Sequence, residues 1–409
     1  MVFSKITLLC SLTILWALCM DIKCHCDEPT ENAKLNVTVT YDLPYFMSDT
    51  IVRDIVVFNG SVYVATIDML YSLSGDLKKI SEYKIEPEPT CTFCQGFKHK
   101  AKDISLSLLI ETYYDDELFS CGSTGQGLCR RHVLVEGRLD DEVKWMHSPN
   151  NYGGRHGCPD CVAGPAGTHV LSVESGGVVR FFVGNSENAG LASATVADPK
   201  PPLTPFYHTI SVRDMKETQD GFRFFSEQSY MDLVPSLRDS YHLQYVYAFQ
   251  SGSHAYFLTI QRESRDSNTY HTRIARMCSS DPELRRYVEI PFKCILTEKR
   301  RKKSSDRTEF NILQAAYVSK AGRDLRQLLD IKEGEDVLFA AFARSKPNSP
   351  EPTNSSAICV ISLANINYFF RDYIQSCQTR QLYHFTGSDD KQCYNTVREE
   401  LLYGGMPFT

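Results

Sequence analysis

Residues 55–66 read IVVFNGSVYVAT. Two β-prone runs, Ile55–Phe58 and Ser61–Thr66, flank Asn59-Gly60, and both turn residues tolerate the positive φ that a type I′ turn demands. The segment therefore predicts a tight hairpin. The same pattern recurs further on: Val170–Val173 and Val178–Val183 flank Gly176-Gly177, and Tyr245–Phe249 and His254–Ile260 flank Ser251-Gly252-Ser253. Ile104, Leu106, Leu108 and Ile110 alternate with Ser105 and Ser107, the period of a half-buried strand. Further strands are expected over Ile312–Val318, Val337–Phe342 and Ala357–Leu363. Helical pattern is confined to a short piece near Leu325–Leu329 and a longer one from Ala364 to about Ser376. Many short strands with few helices predict an all-β domain, either sandwich or propeller. The segments 143–168, 196–207 and 297–309 are polar or rich in Pro and Gly and read as surface insertions.

Of 409 residues, 42% are hydrophobic and 23% charged, which suits a folded chain with a sizeable core. The net charge of −6 points to no particular partner, and no basic stripe with interleaved aromatics marks a nucleic-acid footprint. At the N-terminus Lys5 precedes an apolar run from Ile6 to Met20. Its 15 residues would reach only ~22 Å as a helix, short of the ~30 Å hydrocarbon core. A cleaved signal peptide over residues 1–24 is the expectation, and with it a secretory route. Of 15 cysteines, those at 91, 94, 121, 129, 158, 161, 278, 294, 359, 377 and 393 lie in the body of the chain. That density fits an oxidising compartment. So do the N-x-S/T triplets at Asn36, Asn59 and Asn354.

The motifs argue for a binding module and against an enzyme. Cys91-x-x-Cys94 and Cys158-Pro-Asp-Cys161 are too far apart for a zinc ribbon and read as disulfides. CPDC runs into Val162-Ala-Gly-Pro, which cannot supply the helix N-terminus that a reactive thiol needs. Gly122-x-x-Gly125-x-Gly127 lies between Cys121 and Cys129 and reads as a disulfide-closed turn. No GxSxG, HExxH, P-loop, HRD or DFG motif occurs. No metal or cofactor is expected. The run LTEKRRKKSSDR (296–307) concentrates five basic residues, Lys299 to Lys303. In a lumenal chain a protease site and a solvated loop remain its two readings.

The stretch ETYYDDELFSCGSTGQGLCRRH (111–132) resembles the sema domain shared by semaphorins, plexins and the Met/Ron receptors. Further stretches narrow the resemblance to the Met side of the Met/Ron receptor tyrosine kinase family. They are CPDC (158–161), RFFVGN (180–185), SVRDMKETQDGF (211–222), YFLTIQRE (256–263), YHTRIARMCS (270–279), CILTEKR (294–300), FNILQAAYVSK (310–320) and FARSKPNSPEP (342–352). The similarity spans about residues 40–390. It implies a sema-type β-propeller, seven blades in the family and about five here, over residues 25–396, with a divergent tail at 397–409. It also implies that the chain is a fragment. The kinase that uses ATP and the membrane span would belong to a missing C-terminal part, and the complete receptor would stand at the cell surface.

The resemblance also assigns roles to residues. A hepatocyte growth factor-like ligand would dock on Tyr113, Tyr114, Asp115 and Asp116 and on Lys216, Glu217, Thr218 and Asp220. Plexins or semaphorins are further candidate partners. A third family contact loop falls at Ser175-Gly176-Gly177, without its usual charges. Disulfides 121–129, 158–161, 294–359 and 377–393 are implied. Phe97 and Trp145 stand where Met-type receptors carry cysteines, so Cys91 and Cys94 are left to pair with each other, and Cys278 has no partner. Cleavage would follow Arg300, Arg301, Lys302 and Lys303, before Ser304. A freestanding secreted sema protein, acting as decoy or ligand, is the alternative to a receptor ectodomain.

Overall fold

A computed structural model describes residues 43–85, 106–111, 116–122, 127–147, 158–164, 166–187, 208–226, 228–233, 241–263, 267–298 and 306–377. The chain divides into Met1–Pro44 and Tyr45–Thr409, and the elements below all lie in the second unit.

Five antiparallel sheets follow one another along the chain. The first is β1 (Asp54–Phe58), β2 (Ser61–Ala65), β3 (Met69–Leu73) and β4 (Lys79–Lys84). The second is β5 (Leu106–Glu111), β6 (Glu117–Gly122), β7 (Cys129–Val135) and β8 (Arg138–Met146). The third holds β9 (Thr168–Ser175), β10 (Val178–Asn185) and β11 (Ile210–Met215), with β12 (Phe222–Arg223) and β13 (Tyr230–Met231) both pairing with β11. The fourth is β14 (Leu243–Ser251), β15 (His254–Arg262), β16 (Tyr270–Cys278) and β17 (Val288–Pro291). A separate hairpin, β18 (Cys294–Glu298) with β19 (Asp306–Phe310), precedes the fifth sheet of β20 (Ile312–Lys320), β21 (Asp336–Ser345) and β22 (Pro352–Ser362). The first strands of successive sheets touch in order, β1 with β5, β5 with β9, β9 with β14 and β14 with β20. Sheets arranged radially around their first strands are the blades of a β-propeller.

The turns carry the chemistry expected of them. Asn59 and Gly60 take φ of 47° and 78°, and Gly176 and Gly177 take 63° and 74°, the two positive values of a type I′ turn. In the third hairpin Ser251 pairs with His254, so only Gly252 and Ser253 turn the chain. Only the first of these has positive φ, the type II′ pattern.

Alternation along the strands builds the core between blades. Val179, Phe181 and Val183 of β10 face the second sheet's Phe119, Cys121 and Met146, while Phe182 packs with Tyr245 and Phe257 of the fourth. On β15, Ala255 and Phe257 face the third sheet, and Tyr256 and Leu258 join Leu313, Leu338 and Phe342 of the fifth. Helix α1 (Arg323–Leu329) buries none of its residues. Helix α2 (Leu363–Cys377) begins where Ser362 Oγ accepts the Asn365 amide at 3.1 Å, an N-cap. Its Leu363, Ile366 and Phe370 recur at helical spacing and close the core of sheets four and five.

Two sequence expectations need correction. The described parts of 143–168 are no surface insertion: residues 143–146 complete β8, and Cys158, Cys161, Val162 and Ala163 are buried, while 148–157 lie outside the described residues. Within the segment 297–309, residues 297–298 and 306–309 are strand, with Thr297 paired to Arg307 and Glu298 to Asp306. Residues 299–305, between β18 and β19 in sequence, lie outside the described residues. The expected loop 196–207 lies outside the described residues.

Candidate ligand-binding surface

The β11–β12 connection carries one set of candidate contacts. Lys216 N donates to Gly221 O at 2.9 Å and Gln219 N to Lys216 O at 2.8 Å, which closes a tight turn with Gln219 at φ 54°. Glu217 and Thr218 are exposed at its crest, Lys216 and Asp220 are half-buried, and Thr218 Oγ1 donates to Asp220 Oδ1. Of the other set, Asp116 is described and exposed, and its carbonyl accepts the Leu134 amide at 2.9 Å. Tyr113, Tyr114 and Asp115 lie outside the described residues.

Arg131 links a neighbour of each set. Its Nε pairs with Glu117 Oε1 at 3.1 Å, directly after Asp116, and its Nη1 donates to Gln219 Oε1 at 3.3 Å and to Gln219 O at 3.5 Å. The β9–β10 turn at Ser175-Gly176-Gly177 lies at the same end of the third sheet, because successive turns of a meander alternate between ends. Exposed Asp116 and Glu217 and half-buried Asp220 carry acidic charge near this end, beside half-buried Lys216 and exposed Arg223. Just inside it, burial raises the Asp214 carboxyl above its usual range, against the opposing pull of Arg180 and Arg223.

The CPDC loop supports the turn from behind. Asp160, fully buried, accepts the Phe222 amide at 2.7 Å through Oδ1. Arg213 Nη1 donates to Pro159 O at 2.6 Å and Cys161 O at 2.9 Å. Val162 N and Ala163 N donate to Gly127 O at 2.7 and 3.0 Å, which ties the loop to the second sheet. Trp145 packs on Leu128 and the Cys158–Cys161 pair, and the Arg130 guanidinium lies 4.1 Å from its ring centre. A large aromatic thus fills the place that the resemblance gives to a cysteine. Sequence reading missed Glu117, Arg130, Arg131, Asp160 and Arg213 as parts of this site. The available signal was a run of ionisable residues, Arg130-Arg131-His132, inside a strand pattern.

Bridges Cys121–Cys129, Cys158–Cys161 and Cys294–Cys359 are formed, and Cys278 is free. The last bridge joins β18 to β22. Cys91, Cys94, Phe97, Cys393, Asn36 and the cleavage residues Arg300, Arg301, Lys302, Lys303 and Ser304 lie outside the described residues, as does the side chain of Cys377. Asn59 sits in its turn, and Asn354 is exposed on β22. Among the described residues no group of three or more His, Cys, Asp or Glu could hold a metal ion. No described helix is long and apolar enough to cross a membrane.

The family described as "Sema domain" matches residues 313–401. The full extracellular region of Plexin A4 superimposes with a TM-score of 0.61 and 24% identity, covering 80% of this chain and 35% of that one. The chain carries a sema-type propeller. A second Plexin A4 structure gives the same TM-score and identity, with 28% of its chain covered. Drosophila Plexin A in complex with Semaphorin 1b is similar at a TM-score of 0.46 and 14% identity, over 78% of this chain and 53% of that one. The sema-type propeller described here thus spans about a third of the plexin extracellular chains it matches.

Proposed function

We propose that this propeller is the extracellular ligand-binding part of a Met-type receptor tyrosine kinase, with a hepatocyte growth factor-like protein as its ligand. The Met-side stretches of the sequence support the family. One observation supports the surface: Arg131 holds the strand after Asp116 and the turn of Lys216, Glu217, Thr218 and Asp220 to a single guanidinium. Tyr113 and Tyr114, next in sequence to Asp115 and Asp116, suit a basic protein partner, since aromatic anchors dominate interface energetics and charge complementarity raises the association rate. Propellers act as rigid stages for such loops, and this reading gives the domain no catalytic task.

The proposed cleavage before Ser304 falls in the sequence between β18 and β19. Cys294 on β18 and Cys359 on β22 would then hold the two products together. Such a protein runs as one species unreduced and as two when reduced.

The test of function is direct binding of hepatocyte growth factor to the complete ectodomain and to its Asp115→Ala/Asp116→Ala variant. The reading expects a loss of about tenfold or more for the variant, in line with the removal of two charged interface groups. An unchanged affinity refutes the assigned surface. Binding of a semaphorin with no binding of growth factor would replace the receptor reading with the secreted sema protein.

A further inference from the structure

Two buried side chains that contact no expected ligand hold the proposed surface in shape. Arg131 is 10% exposed and its partner Glu117 3%, so the pair is largely removed from solvent and from salt screening. The guanidinium is forked. Its Nε serves Glu117, while Nη1 serves both the side chain and the main chain of Gln219. A lysine has one compact head on a flexible stem and cannot reproduce that division.

Gln219 needs the support. It takes φ 54°, the left-handed region that a non-glycine side chain enters only at a cost. On the other flank Asp160 receives the Phe222 amide, where the turn rejoins the sheet, and Arg213 pins Asp160's own loop through the carbonyls of Pro159 and Cys161. The turn is therefore gripped once from the second sheet and once from the CPDC loop. Neither grip uses the exposed Glu217 or Thr218.

We propose that Arg131 and Asp160 are positioning residues of the ligand surface, each fixing the 216–221 turn from a different side. The proposal rests on the reading of the preceding subsection. Its test combines hydrogen exchange of the free chain with growth-factor binding, in Arg131→Lys, Asp160→Ala and Gln219→Asn. The last keeps a residue tolerant of positive φ but too short to reach Arg131, and its exposed position leaves folding intact.

Each variant is expected to speed exchange of the 216–221 amides by about tenfold, the scale of one charge-assisted hydrogen bond. Exchange over β15 should stay unchanged. Growth-factor affinity should fall by a similar factor, and Gln219→Asn should add little in the Arg131→Lys background. If the turn's exchange stays at its original rate, or rises only together with that of β15, the two residues merely stabilise the sheets and the proposal fails. If the turn loosens but affinity holds, the positioning role in binding fails. Should the unaltered chain bind no growth factor, the function fails, and the exchange data still decide whether the two residues hold the turn.

Discussion

The fourth and fifth sheets use the same strand pattern and end in different environments. On β15 both sets of alternate residues are buried, Ala255 and Phe257 against the third sheet and Tyr256 and Leu258 against the fifth. On the fifth sheet Leu313, Leu338, Ala340 and Phe342 face the fourth. The opposite face is just as apolar. Pairing places Tyr317, Phe339 and Val360 in one row and Ala315, Ala341 and Ile358 in another. Yet Tyr317 is 64% exposed and Ile358 76%. At the other end of the series, β1 exposes Ile55 and Val57, in register with Val64 and Val62. The residues of a propeller sheet are thus written for two neighbours, and the first and fifth sheets each show an apolar face with only partial cover among the described residues. Contiguous apolar surface of this kind is a recognised association hazard.

A charge placed on each sheet breaks or confirms that contrast most sharply. Phe257→Lys would strand an ammonium between sheets three and four and should cost on the order of 5 kcal/mol, so that no folded protein is secreted. Ile358→Lys should change stability by less than about 0.5 kcal/mol. It should also raise the yield of soluble monomer and lower binding of an apolar dye. Equal damage from both would mean that the fifth sheet's face is covered in solution. The unmodified chain is expected to self-associate and to be poorly secreted, and a sharp melt of soluble monomer would contradict this.

Trp145→Ala probes the join between sheets two and three. It removes an aromatic from the Cys158–Cys161 pair and uncovers the buried Arg130, which should lower stability by about 2–4 kcal/mol. Substitution by phenylalanine should recover most of the loss. A smaller effect is expected from acid. Burial first, then Arg130, holds His132 down to about 3, and burial with Arg273 and Lys293 does the same to His271. Both are neutral in the fold, whereas in the unfolded chain they protonate near pH 6.5. Their contribution is intact above that pH and is lost as pH falls toward 3, at roughly 1.4 kcal/mol per unit for each group. Thermal melts between pH 7 and 5 check this, and His132→Gln should flatten the slope.

Much of the architecture was legible in the sequence where turns and alternation coincide, as at Asn59-Gly60 and Gly176-Gly177. The propeller itself came from the resemblance of 111–132 and the Met-side stretches, since periodicity alone left sandwich and propeller open. Strands buried on both faces gave no alternation to read. β7 carries Arg130, Arg131 and His132 with all three buried, a composition that suggests solvent until its partners are seen. β18–β19 failed for the opposite reason: Ile295 and Leu296 are adjacent and both exposed, so neither face of that ribbon is marked. The candidate contact residues were taken from the resemblance of their motifs. Their supports were not legible in the sequence, because the Arg131–Gln219 and Asp160–Phe222 contacts join residues 88 and 62 positions apart.

The proposed function requires that sheets two and three present one composite ligand surface. Hydrogen-exchange footprinting of the chain with bound hepatocyte growth factor tests it most directly. Protection is predicted at 112–118 and 216–221 together, with the face of Tyr317 and Ile358 unchanged. Protection confined to that fifth-sheet face, or to one of the two loops alone, would contradict the claim.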